Sequence, residues 1–72
     1  MEVFVRVEEA QTPLIRISGV EQIKDGEKIS GSVGMPGSVG LPAAVRRRVF
    51  QIMEAETRAI TVTLFSNEHQ AR

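Results

Sequence analysis

The chain has 72 residues, of which 42% are hydrophobic, with nine basic and nine acidic side chains and no cysteine. This length predicts one small domain, and the lack of cysteine excludes disulfide bonds and a cysteine-ligated zinc site. Balanced charge provides no overall field to attract nucleic acid or an anionic membrane, and no apolar run is long enough to span a bilayer. The first residues lack the pattern of a secretion signal, so we expect a cytoplasmic protein.

The first half of the chain is predicted to form three strands. β-Branched residues recur at every second position from Val3 to Val7, which is the period of a strand. A second run of apolar residues at odd positions extends from Ile15 to Ile23. The intervening residues, 9–13, are predicted to form a connection.

Asp25-Gly26 predicts a hairpin between the second and third strands. A two-residue loop would put the apolar residues of the third strand on one face of the sheet and Ile17 on the other face. A three-residue loop pairs Ile17 with Val33 and brings the large apolar residues onto one face. We therefore favour the longer loop, with Gly26 in the left-handed conformation, although a bulge near Gly19 would also repair the shorter one.

A tandem hexapeptide, GSVGMP followed by GSVGLP, occupies residues 31–42. Its first copy is predicted to complete the third strand through Val33 and Met35, and its second copy to lead into a helix. Glycine-rich segments before a helix sometimes bind phosphate through backbone N–H groups. Here no lysine follows the glycines and no dinucleotide-binding pattern is present, so we favour a connecting loop that arose by local duplication.

The second half of the chain is predicted to contain a helix over 41–56 and a strand over 60–65. A 100° spacing places one broad apolar face on the helix, made of Leu41, Ala44, Val45, Val49, Ile52, Met53 and Ala55. Strict alternation from Ile60 to Phe65 predicts the fourth strand. Residues 66–72 are polar and are predicted to form a flexible tail.

The resulting order, β-β-β-α-β, predicts an α+β domain over residues 1–65. A four-stranded, mostly antiparallel sheet would be covered on one face by the single helix, giving two layers. We expect the fourth strand to lie beside the first.

The three aromatic residues all lie outside the predicted core face. Phe50 falls on the outer side of the helix with Arg46 and Arg47, whereas Phe4 and Phe65 fall on the sheet face that the helix leaves uncovered. Arg6 and Arg16 share that sheet face by alternation. A protein interface, base stacking on a nucleic-acid-binding sheet, and strand twist that brings the rings over a core edge are all compatible with this placement.

These residues predict a small non-catalytic interaction module. An adaptor, inhibitor or regulatory subunit would bind a protein partner or a second copy of itself through the predicted contact residues, which are Phe4, Arg6, Arg16, Arg46, Arg47, Phe50 and Phe65. The alternative is a nucleic-acid-binding module that uses the same arginines, which neutral charge and the lack of tyrosine and tryptophan disfavour. No residue set resembles a catalytic, metal-binding or cofactor-binding site, so we expect no enzyme activity, metal or cofactor.

Overall fold

A computed structural model describes residues 1–31 and 40–72, which form four strands and two helices. The strands are β1 (Val3–Val7), β2 (Leu14–Ile17), β3 (Lys28–Gly31) and β4 (Ile60–Phe65), and the helices are α1 (Ala43–Ala55) and α2 (Glu68–Ala71). The predicted α+β class and the order β-β-β-α-β are confirmed, with α2 as an addition. Val33, Met35 and most of the repeated hexapeptides lie outside the described residues.

The four strands form one antiparallel sheet in the order β2-β1-β4-β3. The expected pairing of the fourth strand with the first is confirmed. The predicted hairpin between the second and third strands is wrong, because β2 pairs with β1 and β3 pairs with β4. Gly31 lies opposite Ile60, so the connection that contains α1 leaves and re-enters the sheet at the same end.

A bulge at Gly19 lets the chain after β2 continue to pair with the segment before β1. Val3 lies opposite Ile17, yet the next backbone hydrogen bonds join Met1 to Val20, at 2.8 and 3.0 Å. One extra residue is therefore accommodated on the second segment, where Gly19 has a φ of 76°. The second segment therefore stays paired with the first as far as Val20. The outer edge of β2 has no neighbour among the described strands.

The Asp25-Gly26 turn forms, but it serves β4. The amide of Glu27 donates to the carbonyl of Lys24 at 3.2 Å, and Gly26 adopts the expected left-handed conformation with a φ of 77°. The Asp25 carboxylate accepts hydrogen bonds from the Ser66 amide and hydroxyl at 2.6 and 3.1 Å. These bonds fix the turn at the end of β4, so β3 begins alongside β4 and not alongside β2.

The core lies between α1 and one face of the sheet. Its buried residues are Val3, Val5, Val7, Val20, Ile29, Leu41, Val45, Val49, Ile52, Met53, Ile60, Val62 and Leu64. The predicted apolar face of the helix is therefore largely correct, but Ala44 and Ala55 are exposed at its margins. Pro42 precedes the first helical turn and accepts the first helical hydrogen bond, from Arg46, at 2.9 Å. Neither helix within the described ranges has the length and hydropathy needed to cross a bilayer.

The sequence predicts a flexible tail over residues 66–72, and the structure has a short helix, α2, within this segment. The side chain of Asn67 accepts hydrogen bonds from the amides of His69 and Gln70, which caps the short helix α2. This helix contacts β1 and β4, and its Ala71 is only 1% exposed without belonging to the main core. Phe4 is also buried outside that core, on the face opposite α1. The C-terminal turn therefore covers part of the outer sheet face.

We expect Ala71→Glu to lower the free energy of unfolding by about 2 kcal/mol, because it would bury a carboxylate with no partner. Gln70→Glu is the matched control, since residue 70 is exposed in the same helix. Urea denaturation followed by far-ultraviolet circular dichroism suits a chain without tryptophan or tyrosine. Equal midpoints for the two variants would contradict the packing of α2.

Thr63 offers a second stability test, because its hydroxyl is buried and has no hydrogen-bond partner among the described residues. Valine has nearly the same shape and favours strands, so Thr63→Val should raise the free energy of unfolding by about 1 kcal/mol. Thr61→Val is the control, since Thr61 is half-buried on the same strand and face. A loss of stability in Thr63→Val alone would mean that the hydroxyl has a partner.

Candidate docking surface

The side of α1 that faces away from the core carries an aromatic ring beside two arginines that form no ion pair within the described ranges. Ala43, Arg46, Arg47 and Phe50 line a shallow depression of about 320 Å³, and we call these four residues the Phe50 surface. Phe50 is half-buried, whereas the other three side chains are exposed. They adjoin one another because residues three and four positions apart lie on the same side of a helix.

The two arginines of the Phe50 surface are not neutralised by the protein itself. Within residues 1–31 and 40–72, Arg46 and Arg47 form no ion pair. The third arginine of the run, Arg48, donates a hydrogen bond to the side chain of Gln51 at 3.2 Å. It lies on the other flank of the helix, so the three consecutive arginines do not act as one cluster.

The charges of α1 oppose its dipole along the whole helix. No acidic residue occurs in the first turn and no basic residue in the last. The arginines occupy the N-terminal half, where the dipole is positive, and Glu54 lies near the C-terminal end, where it is negative. This order gives the exposed side of the helix a strong separation of charge, with Phe50 near its centre.

The outer face of the sheet brings four of the predicted contact residues together. Phe4 lies opposite Phe65 on β4 and opposite Arg16 on β2. Arg6 is the next residue of β1 on the same face. The interpretation of this face as an open aromatic surface is wrong for Phe4, which is 9% exposed beneath the C-terminal turn. A hydrophobic ring at the centre of a small sheet is covered because its burial stabilises the fold.

The other three predicted contact residues of the outer face interact within the chain. The guanidinium of Arg6 lies 4.9 Å from the centroid of the half-buried Phe65 ring, which is a cation–π contact. Arg16 pairs with Glu2 at 3.2 Å, where both side chains remain exposed. The seven predicted contact residues therefore fall into two groups on opposite sides of the molecule, and the helical group has the free charges.

An open groove of about 720 Å³ lies on the flank of α1 that carries Arg48 and was not foreseen from the sequence. Ile15 and Ile52 contribute apolar surface, and the connection between β1 and β2 forms one wall. In that connection Glu9 has a φ of 60°, and Arg58 binds its carbonyl at 3.1 Å and its carboxylate at 3.6 Å. No sequence pattern signals this groove, because it depends on how the β1–β2 connection approaches the helix.

The described part of the chain contains no group of three histidine, aspartate or glutamate residues that could hold a metal ion. Thr63 is the one buried polar side chain among the described residues, and it lies on the outer sheet face.

Comparison with protein-family models, with curated proteins and with solved structures finds no match to this chain.

Proposed function

We propose that the chain is a small non-catalytic interaction module that binds a protein through the Phe50 surface. In this role it would act as an adaptor, an inhibitor or a regulatory subunit. The lack of cysteine fits a reducing compartment, so the proposal includes the cytoplasm as its location.

The observation that carries this proposal is the half-buried ring of Phe50 beside two arginines that form no ion pair within residues 1–31 and 40–72. Aromatic residues and arginine are enriched at the centres of protein interfaces, where they contribute most of the binding free energy. The same ring contributes little to the fold, because it lies outside the core cluster between α1 and the sheet. Burial by a partner would remove its apolar surface from water.

The nucleic-acid alternative receives less support. Base stacking on a sheet needs accessible rings, whereas Phe4 is buried and the ring of Phe65 is already in contact with Arg6. The cations of the sheet are also partly engaged, since Arg16 pairs with Glu2. What remains for phosphate binding is the short arginine run of α1, in a chain of zero net charge.

Affinity capture from the lysate of the native host tests the proposal, with the wild-type chain compared with Phe50→Ala. We expect a protein partner to be retained by the wild type and reduced at least about tenfold by Phe50→Ala, as for a central interface residue. Gln51→Ala is the control, because Gln51 is exposed on the next position of the same helix. Circular dichroism checks that each variant is folded.

The double change Arg46→Ala, Arg47→Ala is a second variant that leaves the core untouched, since both side chains are exposed. It should also release the partner, and nuclease treatment should have no effect. Partner retention by both variants would rule out the Phe50 surface. Loss of all retention after nuclease treatment would favour the nucleic-acid alternative.

A further inference from the structure

One pair of opposite charges on the exposed side of α1, Arg46 and Glu54, is placed symmetrically about Phe50. Arg46 lies four residues before the ring, and Glu54 lies four residues after it. Positions four apart form a continuous ridge on a helix, so the three side chains follow one line across the surface. Along that line the order is positive, aromatic, negative.

Neither end of this ridge is neutralised by a side chain that the structure describes. Both Arg46 and Glu54 are exposed, and neither forms an ion pair in the described ranges. Eight residues separate them, which corresponds to about 12 Å along the axis. The two side chains are therefore too far apart to pair with each other in one molecule, and each is available to a partner.

A second copy of the same helix, running in the opposite direction, is complementary to this ridge. A two-fold axis at Phe50 exchanges the positions four residues before and after it. Arg46 of each copy then meets Glu54 of the other, and the two Phe50 rings meet at the axis. The helix dipoles are antiparallel in this arrangement, which brings the positive end of each helix near the negative end of the other.

From this symmetry we infer that the protein forms a two-fold dimer in which the α1 helices pack antiparallel about Phe50. The inference rests on the proposed function and identifies the partner at the Phe50 surface as a second copy of this chain. Packing of i±4 ridges is the commonest class of helix contact in globular proteins. A small domain also gains from association, because a chain of this size buries only about 60% of the surface of its unfolded state.

Charge exchange tests the dimer directly, with the full chain studied by sedimentation equilibrium over a range of concentrations. Arg46→Glu places two carboxylates opposite each other at both ends of the contact, and Glu54→Arg places two cations there. Each single change should weaken the dimer at least about tenfold, equivalent to about 1.4 kcal/mol. The double change Arg46→Glu, Glu54→Arg should return the dissociation constant to within about threefold of the wild-type value, because opposite charges meet again.

Arg48→Glu is the matched control. It makes the same change of charge in the same helix, but on the flank that lines the groove beside β2, and it should leave the dissociation constant unchanged. Recovery in the double variant separates direct pairing from a general effect on folding or net charge, since residues 46 and 54 do not meet within one molecule.

Three results would overturn the inference. A monomer at all concentrations would exclude the dimer, while the binding of another protein through Phe50 would still be judged by affinity capture. A dimer that is insensitive to both single changes would place the interface elsewhere, such as the free edge of β2. A dimer weakened by the single changes but not recovered by the double change would exclude the two-fold arrangement about Phe50.

Discussion

The placement of β4 between β1 and β3 is the constraint on which the rest of this structure depends. β4 is paired along both sides, so its inward residues, Ile60, Val62 and Leu64, lie at the centre of the core. Since a strand has two faces, the outward residues of β4 are equally central on the other side. This is why Thr63 is buried although α1 covers only the opposite face.

The central position of β4 also determines which surfaces of the protein are covered. The chain leaves β4 at Phe65 and immediately forms α2, which contacts β1 and β4 and covers Phe4. The outer sheet face is thus partly used for folding, and two of its cations, Arg6 and Arg16, contact the Phe65 ring and Glu2. The exposed side of α1 has no such cover among the described residues, so it keeps an aromatic ring and two free cations.

The proposed antiparallel dimer provides a physical reason for the order of charges along α1. In one molecule, arginines near the N-terminal end and glutamate near the C-terminal end each interact unfavourably with the helix dipole, at a cost of a few tenths of a kcal/mol per charge. In an antiparallel pair, Arg46 and Glu54 each face an opposite charge, and the dipoles of the two helices run in opposite directions. The order of charges on α1 is slightly unfavourable in the monomer but self-complementary in the proposed dimer. Such complementarity supports specific association of one copy with another.

Local patterns in the sequence determined the elements of this fold. Alternation identified β1 and β4, the 3.6-residue period identified α1 and its buried face, and Asp25-Gly26 identified a turn with a left-handed glycine. These features depend on neighbours within a few residues, so they can be predicted without the partner strands. The same local reading placed Arg46, Arg47 and Phe50 on the exposed side of the helix.

Only the tertiary structure decided how the elements pair and which surfaces remain open. The bonds between Met1 and Val20 hold the second segment against β1, and the bond from Ser66 to Asp25 holds the turn before β3 at the end of β4. Both contacts join residues far apart in sequence. The burial of Phe4 beneath α2 likewise depends on a short polar helix whose single buried side chain, Ala71, carries no periodic signal. Hydrophobic alternation records which face a residue occupies, but not what covers that face, because cover is a property of the whole fold.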